Sequence, residues 1–176
     1  YRQCRKKLLI DGADIVSRCR MGATVDYGLQ MAEKYEYALE QGTLVILEYG
    51  GNDCNFNWAE VSGAPLEPHL CAVPIDSFLG KYLELASRIK EKGAELIISS
   101  LPPISAPLFM DFLSRGLNYD NLRRFIGPIQ RLSDWQEEYS QAAREVAERT
   151  GSLFMDLRSA VSFLPERDMI SCDGLH

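Results

Sequence analysis

Two periodicities divide this chain. Unbroken apolar runs fall at Thr43 to Tyr49 and at "AELIISSL" (94–101), with shorter ones at "SLFMDL" (152–157) and "ADIVSRC" (13–19). Runs of this length, rich in β-formers and bounded by Gly or Pro, predict strands covered on both faces. Between them the apolar positions recur at helical spacing. Leu29, Ala32 and Leu39 form a stripe that starts from Asp26 as a cap and ends at Gly42. Phe78, Leu79, Tyr82, Leu85 and Ile89 form a second stripe, from Asp76 as a cap to Gly93. Trp135, Tyr139, Ala142, Ala143 and Val146 form a third, closed by Gly151. Residues 107–127 predict short helices with Gly and Asn punctuation, and 156–164 a further helical turn. Arg2 to Leu9 read as the end of a helix closed by Asp11-Gly12. Strands alternating with helices predict one α/β domain over residues 1–176. Its architecture is three-layer α/β/α with a mainly parallel central sheet, of flavodoxin-like kind.

Composition narrows the class. The 46% hydrophobic content of 176 residues suits one globular domain with a sizeable core. A net charge of -6 gives no basic face for nucleic acid. Arg2, Arg5, Lys6 and Lys7 read as the wet side of an amphipathic helix. No stretch reaches the ~20 apolar residues of a membrane span. Five cysteines (Cys4, Cys19, Cys54, Cys71, Cys172) contain no C-x-x-C pair, which predicts reduced thiols in a cytoplasmic protein and neither a disulfide framework nor a zinc motif. Two histidines, His69 and His176, are too few for a metal-dependent hydrolase.

Ligands of parallel sheets bind beyond the carboxyl ends of the strands, so the residues there carry the functional argument. Gly22, in "RMGATVDYG", follows the first predicted strand. Gly50-Gly51-Asn52-Asp53 follows the second, Pro102-Pro103 the third, and "SCDGLH" comes after the last. An Asp three residues before a His suits a turn in which Asp173 accepts the Nδ1 proton of His176. Nε2 is then free as a general base. A glycine N–H and the Asn52 amide are the donors of an oxyanion hole, each worth ~3 kcal/mol in a transition state. A nucleophile is missing from this set: no serine lies in G-x-S-x-G, and Ser99 and Ser100 run into prolines where an elbow helix would start.

These blocks resemble those of the SGNH hydrolases, also called GDSL-type esterases and lipases. That family is marked by a Ser in G-D-S near the start, a Gly, an Asn in G-x-N-D, and a D-x-x-H near the end. Gly51-Asn52-Asp53 fits the third block, Asp173-Gly174-Leu175-His176 the fourth, and Gly22 the second by order and position. No G-D-S occurs. The chain opens at Tyr1 inside a predicted helix, so the first block is expected upstream of it, in a protein truncated at both ends.

The resemblance implies a serine hydrolase of small acyl or O-acetyl esters. The serine would attack the carbonyl, His176 would take its proton, and Asp173 would orient His176. Gly22 N–H and Asn52 would hold the oxyanion, while Gly51 and Asp53 support the loop. It further implies no metal or cofactor and a small-molecule ester as partner. Oligomeric state is left open. The competing reading is a flavodoxin-like domain that holds a small ligand without catalysis.

Other residues have plainer readings. His69 predicts a packing role, and Phe56, Trp58 and Pro65 predict anchors for the long loop after Asn52 more than an acyl pocket. Tyr119 to Arg124 predict helical packing, with a lid as the alternative. Asp156 and Arg158 predict a surface ion pair.

Overall fold

Three short apolar runs build the sheet. The computed structural model describes residues 14–162, in which β1 (Leu44–Leu47), β2 (Glu95–Ser99) and β3 (Leu153–Met155) pair in parallel, in that order. Ile46 sits opposite Ile97, and Ile97 opposite Leu153. Seven α-helices accompany them among the described residues: α1 (Val25–Lys34), α2 (Trp58–Gly63), α3 (Ile75–Glu91), α4 (Ala106–Ser114), α5 (Tyr119–Ile126), α6 (Arg131–Thr150) and α7 (Leu157–Ser162). The fold class is therefore α/β with a parallel central sheet, as the sequence predicts.

Alternation in the strands assigns the sheet faces. Leu47, Leu96 and Ile98 point to one side, where they join Phe78, Tyr82, Leu85 and Ile89 of α3 and Tyr139, Ala143 and Val146 of α6 in one buried cluster. Each of these large side chains contributes ~1.5–3 kcal/mol by leaving water. On the opposite face Leu44, Ile46 and Leu153 are 51%, 59% and 66% exposed among the described residues. A second cluster gathers Trp58, Phe109, Met110, Leu113, Leu122 and Ile126 from α2, α4 and α5, together with Leu132 at the start of α6. Tyr119–Ile126 is thus a packing helix through Leu122 and Ile126. No helix of the described residues is long and apolar enough to cross a membrane.

The ends of α6 and α3 show why their limits were readable. Gly151 closes α6 in the left-handed conformation, φ 60°, and Ser152 N–H donates back to Ala147 O at 2.8 Å. Lys90, in the last turn of α3, donates to the carbonyls of Thr150 and Gly151, which ties the two helix ends together. α3 starts at Ile75 behind Pro74, with Asp76 in its first turn and not at the cap.

Two expectations are corrected. The strand expected at "ADIVSRC" is absent over its described residues: 14–20 are irregular. Val16 is 58% exposed, and the Arg18 and Arg20 guanidiniums lie over the rings of Tyr35 and Tyr27, at 3.4 and 5.5 Å. These side chains tie the segment to α1 and its end, where a strand would pair with the sheet. The helix expected from Asp26 to Gly42 instead runs Val25–Lys34, with Thr24 at its cap position, and a 3-10 turn follows at Glu36–Ala38. Leu39 packs on the core from beyond that turn.

Gly28 lets α1 pack closely on α3 and on Tyr49. A Cβ there would lie 2.7 Å from Leu85 Cδ2 and 2.8 Å from the Tyr49 ring. Leu85 is fully buried and cannot swing away. Gly28→Ala gains up to ~1 kcal/mol of helix propensity but faces an overpacking cost of ~1–3 kcal/mol. Gly80, on the exposed side of α3 with nothing within 4 Å of an added Cβ, supplies the control. In denaturant titrations Gly28→Ala should lower the midpoint and Gly80→Ala raise it; equal shifts would contradict the packing described.

Candidate active site

Chain direction places the carboxyl end of β1 at the candidate site. Leu47 leads through Tyr49 into Gly50, whose φ of 126° is open to glycine and strained for any L side chain. Space is closed there as well: an added Cβ would come within 3.1 Å of both Leu101 Cδ1 and Tyr139 Cβ. From this turn Gly51 and Asn52 project to the surface, while Asp53 folds inward and is fully buried.

The Asp53 carboxylate explains the turn. One oxygen accepts the Gly50 N–H at 2.9 Å, and the other accepts the Val25 N–H at 2.8 Å. Val25 opens α1, where the first amides lack intrahelical partners, and Thr24 makes no side-chain cap bond. A residue 28 positions away therefore supplies the cap. The positive end of the helix dipole favours an anion at that point. Burial pushes the Asp53 carboxyl above its ordinary range, and the two N–H donors pull it back. These two bonds tie the loop to α1.

Asn52 makes the second tie. Its Nδ2 donates to Ala23 O at 3.0 Å, which sets the amide against the Ala23–Thr24 peptide, one residue beyond Gly22. A side-chain amide carries two hydrogens, so one donor remains for a ligand. Gly22 is exposed, at φ 73°, in a turn. The structure thus brings together Gly22, Gly51, Asn52 and Asp53. Asp173 and His176 lie outside the described residues, as does the basic cluster at 2–7.

The loop after Asn52 is held by aromatic packing. Phe56 meets the rings of Trp58, Phe125 and Trp135 at 5.0–5.5 Å between centroids, and Trp58 donates to Asn55 Oδ1 at 2.7 Å. His69 contacts the Phe125 ring and reaches Ala64 O through Nε2 at 2.9 Å. These are the anchoring roles predicted for Phe56, Trp58 and His69. Residues 71–73 run antiparallel beside the loop: Ala72 N–H donates to Asn55 O and Val73 N–H to Asp53 O, both at 2.9 Å. Sequence pattern gave no sign of this strap.

Ser99 and Ser100 have other occupations. Both are buried; Ser99 Oγ donates to Ser100 O, and Ser100 Oγ accepts the Arg158 N–H, both at 2.9 Å. Beside them a cleft of 220 Å³ opens between α6 and α7, lined by Arg144, Asp156 and Arg158. The predicted Asp156–Arg158 pair is corrected here. Asp156 pairs with Arg144 at 2.7 Å, and Arg158 reaches Gln136 at 2.9 Å and Glu137 at 3.3 Å. Asp156 accepts the Ser159 N–H at 3.0 Å at the start of α7, and residues two apart there do not face each other.

Comparison with known proteins addresses the fold and the family. The lipase/acylhydrolase from Enterococcus faecalis has a crystal structure with a TM-score of 0.54 to this chain and 19% sequence identity. The match covers 88% of this chain and 62% of that one, and at this identity it speaks for the fold. No curated protein matches the chain. The GDSL-like Lipase/Acylhydrolase family matches residues 2–176. That span is nearly the whole chain, so the chain belongs to this family.

Proposed function

We propose that this protein is a serine esterase, one SGNH-hydrolase-like domain that cleaves small acyl or O-acetyl esters through an acyl-enzyme. One observation carries the reading: Asn52 donates to Ala23 O at 3.0 Å, so two family blocks some 30 positions apart meet at the carboxyl end of a parallel sheet. An exposed glycine turn beside an amide with a spare N–H is what an oxyanion needs.

In this mechanism a serine upstream of Tyr1 attacks the ester carbonyl. His176 takes the hydroxyl proton and returns it to the leaving alcohol, while Asp173 holds the imidazole in the reactive tautomer. Gly22 N–H and Asn52 Nδ2 hold the oxyanion. Water then attacks the acyl-enzyme with His176 as base, releasing the acid and the free serine.

The test combines activity with covalent labelling of the full-length protein. It should hydrolyse p-nitrophenyl acetate and take up one equivalent of a fluorophosphonate probe on a serine before Tyr1. A protein that neither turns over the ester nor takes the label overturns the esterase reading.

A further inference from the structure

We infer that Tyr139 is a positioning residue for Asn52, acting through Val73 and Asp53 to hold the oxyanion loop in register with Gly22. The inference rests on the esterase reading and adds to it a residue that the family blocks do not contain.

Tyr139 lies in the middle of α6 and is 4% exposed, so it touches no substrate. Its hydroxyl donates to Val73 O at 2.6 Å, with Cys71 Sγ 3.1 Å away. Val73 in turn donates its N–H to Asp53 O at 2.9 Å. One residue of the strap is therefore held by Tyr139 on its carbonyl side and holds Asp53 on its amide side. Asp53 carries the bonds to Gly50 and Val25, and Asn52 is its chain neighbour. The same tyrosine also lies beside Gly50, where an added Cβ would come within 3.1 Å of its own Cβ. Tyr139 thus meets the Gly50–Asp53 turn at two points, through Val73 and beside Gly50.

A hydroxyl in the middle of an apolar helix stripe is an expensive choice unless it is bonded. Phenylalanine would keep the ring contact to Phe78, 4.9 Å between centroids, and the core packing. What would be lost is the hydroxyl's hold on two residues of the strap, Val73 O and Cys71 Sγ. Asn52 would then sample a wider range of positions, and a displacement of about 1 Å at a catalytic donor is worth up to about a hundredfold in rate.

Four full-length proteins test this on p-nitrophenyl acetate: wild type, Tyr139→Phe, Asn52→Ala and the double variant. Tyr139→Phe should lower kcat about tenfold with KM changed less than twofold, as expected when an interaction made in the transition state weakens. In the Asn52→Ala background the same change should alter kcat less than twofold, because the group it positions is gone. An equal fall in both backgrounds would mean general loosening and would overturn the inference alone, as would a Tyr139→Phe enzyme equal to wild type. An inactive wild type overturns the esterase reading and this inference together.

Amide hydrogen exchange of the unaltered protein gives a second reading should Tyr139→Phe not fold. The Val25, Gly50 and Val73 amides should open as one unit as denaturant is added. Three separate opening energies would break the relay.

Discussion

Asn52→Ala should lower kcat for p-nitrophenyl acetate by about 10²–10³-fold, the range found when one oxyanion donor is removed. KM should stay within about twofold, since the lost bond forms with the tetrahedral oxyanion and not with the ground-state carbonyl. Stability should change little. The bond from Asn52 to Ala23 O lies at an exposed position, where a hydrogen bond is worth ~0.5–1.5 kcal/mol. A separate melt of the variant checks this, and the two readings together separate a catalytic amide from a structural one. Asn52→Asp sharpens the comparison. It keeps the size of the side chain but offers only acceptors, so it would face the oxyanion with like charge and should be at least as slow. A binding domain predicts something else: any residual esterase activity would be the same in wild type and both variants.

The legible parts of the fold share one physical property, a stripe or run continuous enough to outweigh local exceptions. α3 and α6 were readable because five apolar positions recur on one face of each and a glycine in left-handed conformation closes the run at Gly93 and Gly151. β1 and β2 were readable as apolar runs. Their burial is one-sided among the described residues, with Ile46 exposed and Leu47 buried beside it. "ADIVSRC" failed for the opposite reason. It holds too few apolar residues for hydrophobicity to decide, and contacts from Arg18 and Arg20 to the tyrosines of the following segment set its path.

The candidate site divides in the same way. Gly22 and Gly50 to Asp53 were picked out by their order and their places after predicted strands, of which the one before Gly22 is irregular over residues 14–20. What joins them was not legible. That Asp53 caps a helix opening at Val25 depends on a turn that folds one side chain inward, and Tyr139 gives no hint in the sequence that its hydroxyl reaches Val73. Long-range polar bonds leave no periodicity, so pattern reading finds the groups and misses their supports.

Asp53→Ala tests the support at its most exposed point energetically. The change would leave two buried amides, of Val25 and Gly50, without their acceptor. Each orphaned donor costs ~1–3 kcal/mol, so unfolding in denaturant should show a loss of roughly 2–6 kcal/mol. Folded Asp53→Ala should also lose about a hundredfold in kcat, because Asn52 and Gly22 would no longer share a fixed frame. Asp53→Asn separates charge from geometry. It keeps one acceptor for one amide but turns an NH₂ toward the other, so it should be milder in stability than alanine and still slow.

The pH dependence then has a definite sign. Burial raises the carboxyl of folded Asp53 above its unfolded value, so between those two values the native state holds a proton that the unfolded chain has lost. Stability from this group is therefore greatest in acid and falls as pH rises through that window, the reverse of a carboxylate in an ion pair. The deficit of Asp53→Asn relative to wild type should accordingly narrow as pH climbs out of the ordinary carboxylate range. A deficit that widens instead would mean that the N–H donors of Val25 and Gly50 outweigh desolvation. Asp53 would then be a net stabilising anion at the start of α1 in addition to a brace.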